Sequence, residues 1–332
     1  MRSTAIALIA IVVLECSFAC QRQEISDSSA QSFKVALLTP GPVSDAGWNA
    51  SAFEGLQLIK KELGAETALV QTRSPADFED AMRDFASRGF QIVFAHGFEY
   101  TDSALKVGKL FPNTWFIVTS GSASSANVAS VAFKIEEAAY VEGALAGGVS
   151  KSGIVGAIGG IQIPSIRLTF EGYKLGVNSV LPQGRVLISY TGSFDDVGAA
   201  KEAALARVSR GADLLLQNAD AAGLGVIEAA KQSRIYAFGS NGDQNAIAPD
   251  TVLASAVTFI PKAFLRIATE IKEKRFKPAM IEYGMKDGMV EVVYNPQLEP
   301  KIPPAALEKA KQAEQDIISG KITLPTLASV SR

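Results

Sequence analysis

From residue 33 onward, short β-rich runs alternate with longer helical patterns, and the whole alternation begins again near residue 154. That repetition constrains the fold more than any other feature. A strand–helix–strand unit pairs its backbone by laying successive strands parallel, with helices covering the sheet. Two such runs predict an α/β chain of two lobes, each a parallel sheet with helices on both faces. A chain of 332 residues is long enough for two such cores.

The first series has strands at 34–38, 67–70, 91–95 and 115–118. A helix over 49–63 places Phe53, Leu56, Ile59 and Leu63 at helical spacing. A second helix opens at Ser74-Pro75, with proline at its first position and Phe78, Met82 and Phe85 facing inward. A third, over 102–111, stops at Pro112. The second series has strands at 154–158, 185–190, 214–217, 236–238 and 253–257, with helices at 165–180, 197–210 and 224–232. A helical pattern over 260–275, opened by Pro261, is expected to return to the first lobe. Residues 281–285 and 290–294 flank Lys286-Asp287-Gly288 and read as a β-hairpin. An amphipathic helix over 303–319 follows. These readings assign 33–133 plus about 260–285 to lobe 1, and 134–259 plus about 286–328 to lobe 2. A chain that crosses between lobes more than once predicts a hinge of several crossing segments, able to close on a ligand.

The N-terminus predicts export. Arg2 precedes an unbroken apolar run over 5–14, too short to span a bilayer but suited to the core of a signal peptide. Ser17-Phe18-Ala19-Cys20 resembles a lipobox, with Ser17 where leucine is usual. Cys16 is a rival, but Glu15 before it is a poor cleavage residue. The expectation is a signal peptide over 1–19, lipidation of Cys20, and a flexible polar tether over 20–32. A secretory signal without lipid is the alternative. Both cysteines lie in this segment, so the remaining chain offers no disulfide and no thiol nucleophile.

Catalytic chemistry has little to stand on. His96 is the one histidine, and no Gly-x-Ser-x-Gly elbow or metal-ligand spacing occurs. His96 is expected to line a pocket or bond to backbone at a strand end rather than to act as a base. The glycine runs at 156–160 and 222–225 lack the Gly-Lys-Ser/Thr ending of a nucleotide P-loop and read as tight strand-to-helix turns. Lysine and arginine nearly balance aspartate and glutamate, 32 against 34, and no basic stripe suggests nucleic acid. No cofactor and no metal are predicted.

The strand ends are more informative, because open α/β sheets bind ligands there. They carry Asp45, Trp48 and Asn49, then His96 and Phe98, then Ser120. In the second series they carry Phe194, Asn218 and Asn241, with Thr258 after the last strand. Aromatic faces with a few placed amides and carboxylates suit a planar ring bearing hydroxyls. Each residue also has a plainer reading: Asp45 as a helix cap, Phe194 as core, Asn241 as a turn residue.

Ordered motifs carry a resemblance. They are Asp45-Ala-Gly-Trp-Asn49 with Phe53-Glu-Gly55, His96-Gly-Phe98, Asn127-Val128 with Phe133-Lys134, and Glu136-Glu-Ala138. They continue with Gly159-Gly-Ile-Gln-Ile-Pro164, Phe170-Glu-Gly-Tyr-Lys-Leu-Gly176, Gly192-Ser-Phe-Asp-Asp196, Gly211-Ala-Asp213 and the run from Gly239 to Gln244. In this order they resemble the basic membrane protein family of ABC-transporter substrate-binding lipoproteins, which contains purine nucleoside receptors. The resemblance implies a type I periplasmic-binding fold, a ligand between the lobes, and delivery to a membrane permease with its ATPase. It implies ligand contact for Asp45, an amide role for Asn49, and base-stacking aromatics at or beside Trp48, Phe98 and Phe194.

Three positions depart from the family pattern. Ser120 stands where an aspartate is usual, Asn241 where an aspartate is usual, and Thr258 where a lysine is usual. In nucleoside receptors the last two resemble an ion pair that holds ribose hydroxyls. Here that pair is replaced by uncharged groups with weaker hydrogen bonds. Either ribose is held differently or the ligand differs, and the expected ligand is a planar heterocycle, a purine nucleoside or a nucleoside-like solute. A receptor for a non-nucleoside solute, signalling through a separate membrane partner, is the alternative. A hydrolase on the same fold is a third reading, disfavoured for want of a nucleophile–base pair.

Overall fold

The computed structural model describes residues 32–45 and 47–326. The expected leader, the lipidation site Cys20 and nearly all of the tether lie outside the described residues. In chain order the elements begin β1 (Lys34–Thr39), α1 (Trp48–Leu63), β2 (Glu66–Gln71), α2 (Pro75–Ser87), β3 (Ile92–His96), α3 (Thr101–Gly108), β4 (Trp115–Thr119), β5 (Val128–Phe133) and α4 (Ile135–Val149). They continue with β6 (Ile154–Gly159), α5 (Pro164–Val180), β7 (Arg185–Tyr190), α6 (Val197–Val208), β8 (Leu214–Asn218), α7 (Gly223–Ser233), β9 (Tyr236–Asn241) and β10 (Val252–Thr258). The last are α8 (Ile260–Lys272), β11 (Met280–Tyr283), β12 (Val290–Tyr294) and α9 (Pro304–Ile318).

Local chemistry explains several of these boundaries. Ser74 caps α2 in a reciprocal capping box with Asp77, and Pro75 fills the first turn, where no backbone donor is needed. α1 ends at Gly64, whose φ of 64° is a left-handed conformation that glycine adopts without strain.

Two six-stranded sheets form, ordered β11-β5-β4-β3-β1-β2 and β12-β10-β9-β8-β6-β7. Every described pairing is parallel except β10 with β12. Helices cover both faces. In the first sheet, Phe78, Met82 and Phe85 of α2 pack on one face, while Leu56 and Ile59 of α1 pack with Phe264 and Ile267 of α8 on the other. In the second sheet, α4, α5 and α9 share one face, and the alanine-rich α6 and α7 cover the other. Each sheet has a point where strand order reverses, between β1 and β3 in the first and between β6 and β8 in the second. Crevices at such points are where ligands of open α/β sheets bind.

β11 and β12 do not form the expected hairpin. β11 pairs with β5 at the edge of the first sheet, and β12 pairs with β10 at the edge of the second. The turn signal is real, since Gly288 has a φ of 65°. However, it serves a crossing between sheets. The Met285 amide donates to the Glu137 carboxylate at 2.7 Å, which ties this crossing to the start of α4. Two further crossings run beside it, at β5–α4 and at β10–α8. The Lys134 amide donates to the Tyr283 carbonyl at 2.8 Å, and the Phe259 amide to the Met289 carbonyl at 2.9 Å.

β5 and α4 have no clear sequence period. β5 is buried throughout, and α4 is buried on nearly every side, so neither shows an exposed polar stripe. α4 and α5 approach backbone to backbone. A Cβ on Gly143 would overlap the Tyr173 carbonyl, and one on Gly176 would overlap the Tyr140 carbonyl.

Candidate ligand-binding cleft

A cleft of about 440 Å³ opens between the two sheets at their strand ends. It is lined by Asp45, Trp48, Asn49, Phe98 and Ser120 from the first lobe, and by Phe194, Asn218 and Asn241 from the second, with Thr258 at a crossing. Nine of the ten residues singled out in the sequence as ligand-binding thus share one cavity. The tenth, His96, does not line it.

His96 lies behind the wall, fully buried. It ends β3 in register with Thr119 of β4, and the Thr119 hydroxyl lies 2.9 Å from its Nδ1. Its Nε2 lies 3.0 Å from the Trp48 carbonyl. A carbonyl only accepts, so Nε2 carries the proton and Nδ1 accepts from Thr119. Burial holds the imidazole far below its usual range, at about 3, so the ring is neutral. The ring also stacks under Trp48, with centroids 4.2 Å apart, and meets the edge of Phe264. His96 therefore fixes the pose of an aromatic wall residue.

Asp45 is both a wall residue and a cap. Its Oδ1 accepts from the Gly47 and Ala50 amides, and its Oδ2 from the Asn49 amide and side chain, at 2.7 to 3.2 Å. Those four donors fill the usual capacity of a carboxylate. They also hold the first turn of α1, and with it Trp48 and Asn49, at the cleft.

In the second lobe the amides form a chain. Asn218 donates to Thr169 of α5 at 3.2 Å. The Asn241 side chain lies 3.4 Å from Asn218 Oδ1 and 3.3 Å from Asp220 Oδ1. Thr258 donates to the Asn241 carbonyl at 3.1 Å. Phe194 lies against the bare backbone of Gly160, where a Cβ would overlap its ring. Across the cleft, Phe98 and Ile161 present exposed apolar lips.

Asn218 is the residue that the sequence offers at the end of β8, and its neighbour Asp220 carries no signal of its own there. The structure places Asp220 in the wall as well, together with Glu99 and Asp195. Ser120, Asp220 and Asn241 all have left-handed backbones, with φ of 56°, 49° and 69°. Non-glycine residues seldom hold that conformation, and such outliers concentrate at binding sites. Apolar surface comes from Phe133, Ile135, Ile163 and Ile166, which sit at the first crossing and around the start of α5. Among the described residues no group of His, Cys, Asp and Glu has the arrangement of a metal site, and no helix is long and apolar enough to cross a membrane.

A two-lobed α/β fold with a cleft at facing strand ends defines the class: a solute-binding protein of type I periplasmic fold. The family model for ABC transporter substrate-binding proteins of the PnrA-like type, Bmp, matches residues 32–328, and the chain belongs to that family. The family is one of transport receptors rather than an enzyme class, and it works outside the cytoplasm. Among relatives, the chain is 30% identical to the ABC transporter nucleoside-binding protein BmpA of Lactococcus lactis, with 97% of each chain covered. It is 29% identical to a purine-binding protein of Brucella abortus, covering 88% of this chain and 83% of that one. A solved solute-binding protein of an ABC transporter from Aeropyrum pernix shares the fold with a TM-score of 0.82 at 21% identity, covering 89% of this chain and 93% of the other.

Proposed function

We propose that this protein captures a purine nucleoside, or a closely similar planar heterocycle, between its lobes and passes it unaltered to a membrane permease and its ATPase. The observation that carries this reading is the cleft wall. Trp48 and Phe98 from one lobe and Phe194 from the other bring aromatic surface to one cavity, beside the amides of Asn49, Asn218 and Asn241. Flat rings held by aromatic faces and oriented by a few amides are what such a cavity accommodates. The names of the two relatives support the ligand class.

The family's charged pair for ribose is absent here, so hydroxyl recognition falls to Asn241, Thr258 and their neighbours. Closure about the three crossings buries the ring and excludes water. The signal peptide expected over 1–19 and lipidation at Cys20 would hold the receptor by lipid on the extracytoplasmic face of a membrane, close to its permease. Titration calorimetry of the purified protein against adenosine, inosine, guanosine, the free bases and ribose tests the ligand class. Saturable heat with at least one nucleoside is expected; no heat from any of them at millimolar concentration would sink the nucleoside reading.

A further inference from the structure

The cleft is electrically one-sided. Asp45, Glu99, Asp195 and Asp220 line it, and among the described residues no lysine, arginine or histidine does. These carboxylates are not equivalent. Asp45 is saturated by four donors of its own loop and helix. Glu99 folds back over Gly97, where a Cβ would collide with its carboxylate. Asp195 is exposed at the rim. Asp220 is partly buried, and among the described residues its one side-chain hydrogen bond is the 3.3 Å contact from Asn241 to Oδ1. Among the described residues no donor reaches its Oδ2. The backbone holds it at a φ of 49°, a conformation that glycine adopts freely and aspartate adopts at some cost. An acidic side chain is thus kept in a cleft wall, against backbone preference, with one of its two oxygens unpartnered among the described residues.

Resting on the reading of this cleft as the solute site, we infer that Asp220 sets the charge preference of the cleft: its free oxygen receives a hydrogen-bond donor of the solute, and the acidic wall admits neutral or singly cationic solutes while excluding anionic ones. A phosphate or carboxylate on the ligand would enter a cavity lined by four acidic side chains and no lysine or arginine, where like charges repel strongly in a low dielectric and would keep Asp220 from ionising. The groups facing Asp220 agree in sign. They are Asp45 at the head of α1, Asp195 before α6 and Glu99 after β3, with the neutral Asn241 at the end of β9. Burial, followed by those three charges, pushes the Asp220 carboxyl up to about 8, against the single opposing bond from Asn241. In the empty cleft at neutral pH it therefore holds its proton most of the time. A solute that donates to it binds the ionised form and displaces that proton, so affinity rises with pH until the group is ionised without help.

The test uses three adenosines that differ at one position: adenosine, its 5′-amino-5′-deoxy form and AMP. Calorimetry on the wild type is expected to rank the amine at or above adenosine, with AMP at least about tenfold weaker. Because the amine and the phosphate occupy the same position, the ranking separates charge from the mere presence of a substituent. Asp220→Asn, which tolerates the same backbone, is expected to weaken adenosine about ten- to a hundredfold, to narrow the AMP penalty, and to flatten the rise in affinity between about pH 6 and 9. AMP binding as well as adenosine, or a variant with unchanged affinity and pH profile, overturns the inference. If no nucleoside binds, the nucleoside reading fails and the inference is judged separately. Wild type is then incubated with a small-molecule extract of the source cells, and the retained solute is identified by mass spectrometry. A neutral or cationic solute that is lost in Asp220→Asn supports the inference, and an anionic solute, or one retained equally by the variant, overturns it.

Discussion

Replacing His96 with glutamine isolates the contribution of one buried, neutral imidazole, because the chain has one histidine. In the folded protein the ring resists protonation until about pH 3, against an ordinary value of 6.5. A base whose folded value is depressed contributes stability that is lost as pH falls below its unfolded value, because the unfolded chain takes up a proton that the folded one refuses. At about pH 5 the loss is one and a half units times 1.36 kcal/mol, or about 2 kcal/mol. Glutamine can still donate to the Trp48 carbonyl but gives up the stack and the Thr119 bond. That costs about 1–3 kcal/mol near pH 7, where the histidine is neutral in both states. The gap between wild type and variant should therefore shrink by about 2 kcal/mol on going from pH 7 to pH 5. The difference must be read, not the wild-type curve alone. Glu136 and Asp220 are both raised to about 8, and a carboxyl raised on folding gains stability as pH falls through the same window. Urea unfolding followed by tryptophan emission at both pH values measures the gap. An equal gap at the two values refutes the neutral, proton-refusing histidine.

Gly176→Ala should destabilise the protein by about 1–3 kcal/mol or more, because its Cβ would force α5 away from the Tyr140 carbonyl of α4; the urea midpoint reads this. Glu142→Gln should gain stability relative to wild type as pH rises from 5 to 8. Glu142 is fully buried in α4, and burial raises its carboxyl well above 4.5, so wild type loses stability once the unfolded chain ionises there. Midpoints that move in parallel across that range would contradict the assignment.

The repeated strand–helix alternation was legible because each amphipathic helix and short strand carries its own period, as Leu56 and Ile59 do in α1. Where burial is complete the period vanishes, so β5 and α4 went unread at that level. The turn at Gly288 was correctly placed but its meaning was not. A turn signal fixes local backbone, whereas the sheet that each flanking strand joins depends on distant partners, here β5 and β10. The cleft residues were legible through their position at strand ends. Asp220 was passed over because its significance lies in an unfilled acceptor and a left-handed backbone, neither of which a sequence displays. For His96 the sequence leaves two roles open, lining the pocket or bonding to backbone; the structure has the backbone bond, and the ring contact that sets it behind Trp48 joins residues 48 apart in the chain.

A nucleoside bound between the lobes would lie against the aromatic wall. The chain has two tryptophans, Trp48 in that wall and Trp115 at the start of β4, packed on Phe276. Trp115→Phe leaves Trp48 as the single emitter. Titrating this variant with the nucleoside that gives the largest calorimetric heat should change Trp48 emission saturably, with the same midpoint as the heat. Saturable heat with unchanged Trp48 emission would place the ligand elsewhere and contradict the account.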